Sequence, residues 1–110
     1  MSAVKNHQLL PALLAVAALG AAGKRTFTGT ITDNMCGNAG HAAMRMGPTD
    51  AECTTACVAA HGATYVLLVG KTVYALTDQQ TPEQFAGQKV RVVGTLDAKT
   101  RTIRVSSIGR

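Results

Sequence analysis

The sequence predicts a mainly β chain of the α+β class, with five short strands and one substantial helix. Three observations lead there. Residues 24–33, 89–95 and 102–108 alternate apolar and polar side chains with period two, as half-buried strands do. Gly70-Lys71 and Asp97-Ala98-Lys99-Thr100 supply tight turns between such runs. Thr49 with Glu52, and Gly62 beyond them, bracket one helix with a start and a stop signal.

Taken in order, the chain opens with Lys5 and His7, then the apolar run from Leu9 to Gly20, then Ala21, Ala22 and Gly23. That layout is a secretory signal peptide over residues 1–23, leaving 24–110 as one domain in the periplasm or outside the cell. The run is short for a membrane span, which needs ~20 residues, and Pro11 interrupts it. No membrane association is therefore expected after cleavage.

The first strand follows over 24–33, with Phe27, Gly29 and Ile31 inward and Thr26, Thr28, Thr30 and Thr32 outward. Gly29 inside it signals a bulge or bend. The glycine- and asparagine-rich CGNAGH run is loop, and His41 to Met46 has room for one helical turn. Thr49 and Glu52 form a capping box, so a helix is expected from about Asp50 to Ala60, closed by Gly62. Ala63 to Val69 and Thr72 to Thr77 pair as a hairpin. Thr81-Pro82-Glu83-Gln84 repeats the capping pattern and predicts a second, short helix ending at Gly87. Lys89 to Thr95 and Thr102 to Ile108 form the last hairpin, with Val90, Val92, Ile103 and Val105 inward. Five short strands with glycine bends predict a small barrel of the oligonucleotide/oligosaccharide-binding (OB) type. It has one helix after strand one and a short helix before the last hairpin.

The chemistry is concentrated between Asp33 and Gly62. This segment holds all three cysteines, two of three histidines and three of four methionines. Cys53 and Cys57 lie one turn apart on the same face of the predicted helix. Cys36 sits in the loop after the first strand, with His41 five residues on. Cys36, His41, Cys53 and Cys57 have the number and type of donors of a tetrahedral zinc site. Met44 is a further donor, and soft sulfur ligands suit copper(I). The competing reading is a disulfide staple between Cys36 and either Cys53 or Cys57, contributing ~3 kcal/mol in the chain-entropy model. A third is thiol redox chemistry. The odd cysteine count keeps the metal reading open, since a staple leaves one thiol over. Asp33 is read as capping the loop through its side chain. His61 caps the helix end.

Other functions lack their signatures. There is no G-x-S-x-G, H-E-x-x-H or phosphate-binding loop. A Cys36–His41 nucleophile pair has no sign of an oxyanion hole beside it, so the chain does not read as an enzyme. The net charge is +5, but the cations are scattered with no run of five or more, which reads as solvated surface. There is no tryptophan, and Tyr65 and Tyr74 are expected in the core or at the barrel rim, so nucleic acid is not an expected partner. No other partner is indicated, and a monomer is expected.

The runs DNMCGNAGH at 33–41, CTTACVAAHGATYVLL at 53–68, VYALTDQ at 73–79 and AGQKVRVVGTLD at 86–97 resemble a family of small secreted bacterial proteins. That family is common in acidobacteria and is catalogued as a domain of unknown function. The resemblance implies an OB-like barrel and no established activity. At the level of fold alone, the chain is also similar to periplasmic small-barrel copper chaperones. If residues 1–23 are a cleaved leader, secreted protein should begin between Ala22 and Arg25 on N-terminal sequencing. A mature chain starting at Met1 or Ser2 would refute the assignment.

Overall fold

The first strand, β1 (Arg25–Asp33), is the hinge of the architecture. In the computed structural model, which describes residues 23–36 and 49–110, β1 pairs with two different strands along its length. Its first part, Arg25 to Thr30, runs antiparallel to β4 (Lys89–Asp97). Its second part, Thr30 to Asp33, runs antiparallel to β2 (Tyr65–Val69). One strand can serve both neighbours only if it coils sharply. Gly29 lies just before the change of partner, and a Cβ there would run into the Leu68 carbonyl. The glycine is thus required by close backbone approach.

The remaining strands close the ring. β3 (Thr72–Leu76) returns beside β2, and β5 (Thr102–Gly109) pairs antiparallel with β4. The strand order is β1-β2-β3-β5-β4, closed. The closing seam is a short parallel contact between β3 and β5, at Ala75–Thr102 and Leu76–Ile103. The Ala75 N–H donates to the Arg101 carbonyl (2.9 Å) and the Thr77 N–H to that of Ile103 (3.1 Å). The Thr77 hydroxyl then accepts from the Val105 N–H (2.9 Å), extending the seam with a side chain.

The core is what the alternation predicts. Phe27, Ile31, Tyr65, Leu67, Leu76, Val90, Val92 and Ile103 are buried together, with Val105 packed against them. Tyr74 packs its ring on Phe27, centroids 5.6 Å apart, so both tyrosines belong to the barrel interior and its margin. Simple alternation fails in three places: Thr32, expected outward, is buried between Ile31 and Asp33, Val66 is buried between Tyr65 and Leu67, and β5 is irregular. The register shifts between Val93 and Gly94, where Gly94 faces Val105 but Val93 faces Ser107. Ser106 is the extra residue of a β-bulge. The bulge turns Ile108, opposite Val92, toward the core where strict period two would have placed Ser107.

The helix α1 (Asp50–His61) forms as its end signals predict. The Thr49 hydroxyl oxygen accepts from the Glu52 N–H (3.1 Å), and Gly62 ends the helix in the left-handed region at φ 67°. The Glu52 carboxylate accepts from the Thr49 hydroxyl rather than from its backbone N–H (3.1 Å).

The second helix departs from expectation. Thr81–Phe85 is a 3-10 turn, and Thr81 does not cap it. Asp78 takes that role, accepting from the N–H groups of Gln80 (2.9 Å) and Thr81 (3.0 Å). The Thr81 hydroxyl, with those N–H groups, holds the Asp78 carboxyl below the usual carboxylate range. Pro82 is buried at the turn's start, where its missing N–H costs nothing. The strand expected from Ala63 begins two residues later, at Tyr65. The expected leader and the helical turn at 41–46 lie outside the described residues.

Val92 is fully buried and its neighbour Arg91 is exposed. Val92→Asp buries an unpaired carboxylate and should cost at least ~3 kcal/mol, enough to unfold a domain of this size. Arg91→Asp should stay within ~0.5 kcal/mol of the parent. Denaturant melts of the two variants check this, and equal tolerance would contradict the register.

Candidate functional site

The site lies where β1 ends beneath α1. Residues 27, 29, 31 and 33 all face inward along β1, so the alternation that buries Phe27 and Ile31 also buries Asp33, which is 0% exposed. A carboxylate in that position needs hydrogen-bond donors. Its Oδ2 accepts from the N–H groups of Met35 and Cys36, both at 3.1 Å. These bonds bend the chain sharply after the strand, as an aspartate-led turn does. Asn34 fixes the bend from outside: its N–H donates to the Thr64 carbonyl, and its Oδ1 accepts from the Thr64 N–H, each at 2.9 Å. The turn delivers Cys36 into the interior.

The helix supplies the other two thiols. α1 packs against β1, with Ala51 and Val58 against the core. Its buried positions are Cys53, Thr54 and Cys57, with both cysteines 0% exposed. Gly87 permits this close docking. Its φ is +75°, and a Cβ there would come within 2.8 Å of the Ala51 nitrogen. At the start of β2, where Tyr65 pairs with Asp33, Gln79 binds the Tyr65 backbone through both amide atoms, at 2.8 and 2.9 Å.

The three sulfurs of Cys36, Cys53 and Cys57 lie within 4.8 Å of one another. All three are free thiols in the structure. The Cys36 thiol hydrogen-bonds to Asp33, and Cys57 shares side-chain hydrogen bonds with Cys53 and Cys36. Burial, then the Asp33 carboxylate and the neighbouring thiols, push Cys36 up to about 11. Burial and the same carboxylate also raise Cys57. Cys36 and Cys57 are thus held protonated at neutral pH, available to a partner that displaces their protons.

The structure thus brings together three of the four residues expected to hold a metal. His41 and the further donor Met44 lie outside the described residues, in the segment 37–48 that joins Cys36 to the helix. His61 is exposed at the helix end and is not part of the cluster. Asp33 is the site residue that motif reasoning undervalued. The loop-capping role expected for it is present, but its full burial beside the thiols is an additional property. The signal was available in the inward parity it shares with Phe27 and Ile31.

Residues 58–110 match a family described as a protein of unknown function (DUF5818). The matched span is a little under half the chain and runs from late in α1 through β5. It begins one residue after Cys57, so it contains no cysteine and says nothing about the cluster. No curated protein and no solved structure matches the chain.

The raised Cys36 pKa has a stability consequence with a definite sign. The unfolded chain releases this proton near the ordinary thiol value of ~8.5, while the folded chain keeps it to about 11. The stabilisation is whole below the first value and is lost as pH rises between the two. Thermal melts of metal-free, reduced protein should show the midpoint falling across that window. Cys36→Ser should flatten the fall, and an unchanged slope in the variant would place its cause elsewhere.

Proposed function

We propose that the chain is an exported OB-type barrel whose thiol cluster binds a soft or borderline metal ion, zinc or copper(I), through Cys36, Cys53 and Cys57. The observation that carries this reading is the convergence of three buried, free sulfurs within 4.8 Å. Sulfurs bound to one zinc at ~2.3 Å stand about 3.8 Å apart in a tetrahedral shell. Closing the cluster onto an ion is thus a movement of about 1 Å or less per sulfur, within reach of side-chain torsions. Thiolate donors suit zinc and copper(I) above harder ions. On this proposal His41 supplies a fourth donor for zinc, and Met44 a thioether for copper.

The OB assignment is supported by the strand order β1-β2-β3-β5-β4 and by the parallel β3–β5 seam that closes the ring. Export is supported by the leader-like sequence of residues 1–23, and fits a small domain reinforced by bound metal. A monomer in the periplasm or outside the cell, carrying out no catalysis, completes the proposal. The Cys-Gly…His…Cys-x-x-x-Cys pattern is its proposed signature.

Every cysteine matters equally if all three are ligands. In reduced protein, Cys36→Ser, Cys53→Ser and Cys57→Ser should each weaken zinc or copper(I) affinity by more than about a hundredfold, and His41→Ala by less. Competition titration against a chromophoric chelator reads the affinities. Affinity should also weaken as pH falls, since binding expels thiol protons. A disulfide staple predicts another pattern, in which one cysteine is dispensable in titration and in melting while the other two are not. Finding one such silent serine variant would sink the metal reading.

A further inference from the structure

We infer that the outside of the barrel carries a separate site, a cationic groove across β1, β4 and the end of β5 that takes a phosphate monoester. The inference goes beyond the thiol cluster and does not depend on it.

The strand register builds the groove. Along β1, Phe27, Gly29 and Ile31 face the core, so Thr28 faces out. Thr28 stands opposite Arg91 of β4, and Arg91 stands opposite Gly109 of β5. Lys89 lies two residues before Arg91 and shares its outward face. Gly109 brings no side chain to this row, and a Cβ there would meet nothing within 4 Å. The result is an open groove of about 350 Å³ lined by Thr28, Lys89, Val90, Arg91 and Arg110. Thr28 and the three cations are all exposed.

Three cations that are scattered along the sequence thus meet in space, and nothing acidic meets them. All six acidic residues of the chain are among the described ones, and none lines the groove. Asp33 is buried in the barrel, Asp50 and Glu52 begin α1, Asp78 and Glu83 belong to the 3-10 turn, and Asp97 ends β4. Residues 1–22 and 37–48 contain no aspartate or glutamate, so no side chain from them can neutralise the groove. The balance stays positive when the α-carboxylate of Arg110 is counted. Like charges held side by side repel, and a bound anion relieves that repulsion.

Donor chemistry narrows the anion. Arginine forks grip phosphate oxygens two at a time, lysine adds a point charge, and the Thr28 hydroxyl is a further donor. A phosphate monoester presents three acceptor oxygens and about two negative charges at pH 7. A carboxylate or a phosphodiester carries a single charge and leaves more of the groove unbalanced. The volume is in the range of small-molecule sites, so it holds the phosphate with a small organic group attached. A soluble sugar or polyol phosphate and a phosphatidic acid headgroup offer this same chemistry.

The test is amide NMR of the full chain titrated with glycerol phosphate, with sodium chloride at equal ionic strength as the blank. Saturating shifts are expected at Thr28, Lys89 to Arg91, Gly109 and Arg110. Arg91→Asp, at an exposed position where substitution costs the fold little, should weaken binding by about tenfold or more. Dimethyl phosphate, a diester, should bind more weakly than glycerol phosphate. Sedimentation with phosphatidylcholine vesicles, with and without phosphatidic acid, identifies the source. Pelleting that requires phosphatidic acid and is lost in Arg91→Asp assigns the groove to a lipid headgroup. Glycerol phosphate binding without such pelleting assigns it to a soluble ester. The inference is overturned by shifts that chloride reproduces, by equal shifts at Lys71, Lys99 and Arg101, by equal binding of dimethyl phosphate, or by unchanged affinity in Arg91→Asp. It is overturned equally if neither glycerol phosphate nor phosphatidic acid binds. No readout involves the cysteines, so the thiol-site reading stands or falls by itself.

Discussion

The burial of Asp33 at the end of β1 is the constraint from which the site follows. A carboxylate inside a small barrel must find donors, and the nearest are the backbone N–H groups of the residues that come next. Satisfying them turns the chain back over the barrel end, which puts Cys36 beside the helix. The same carboxylate then opposes ionisation of Cys36 and Cys57. One buried charge therefore sets both the shape of the site and its electrostatic character.

The helix contributes less to packing than its position suggests. Its buried positions carry two cysteines and a threonine, with Val58 its one large aliphatic against the core. A Leu or Ile at Cys53 or Cys57 would bury more apolar surface, worth on the order of 1 kcal/mol each. Small thiols in those positions are compatible with simple core filling, since free cysteine behaves as a compact hydrophobe. What core filling does not require is a third thiol, from a different element, meeting the other two. That convergence is what supports the proposed ligand site over an ordinary apolar contact.

The barrel supplies the rigidity that such a site needs. β1 is held by β4 on one side and β2 on the other, and the β3–β5 seam closes the ring. Gly29 and Gly87, like Gly94, mark places where backbones approach too closely for any side chain. The first allows β1 to change partners, and the second lets α1 settle onto the barrel. The DUF5818 match spans β2 to β5 and the end of the helix, so it covers much of the scaffold while the cluster lies outside it.

Much of the fold was legible in local patterns. The parity of Phe27, Ile31, Val90, Val92 and Ile103 gave the inward faces, because side-chain direction alternates along any strand. Thr49, Glu52 and Gly62 bounded the helix, because unpaired end groups demand particular partners. The i, i+4 spacing placed Cys53 and Cys57 on one face without further information. Three things were decided only in three dimensions. The Ser106 bulge reversed the parity of β5, because its need arises from matching β4 around a closed ring. Asp78 displaced Thr81 as the cap of the 3-10 turn, because it could reach two N–H groups that Thr81 could not. The meeting of Cys36 with the helix thiols joins residues from two elements, and no spacing along the chain encodes a distance across a barrel end. It depends on how β1, its buried aspartate and α1 pack together, and packing is a property of the assembled structure alone.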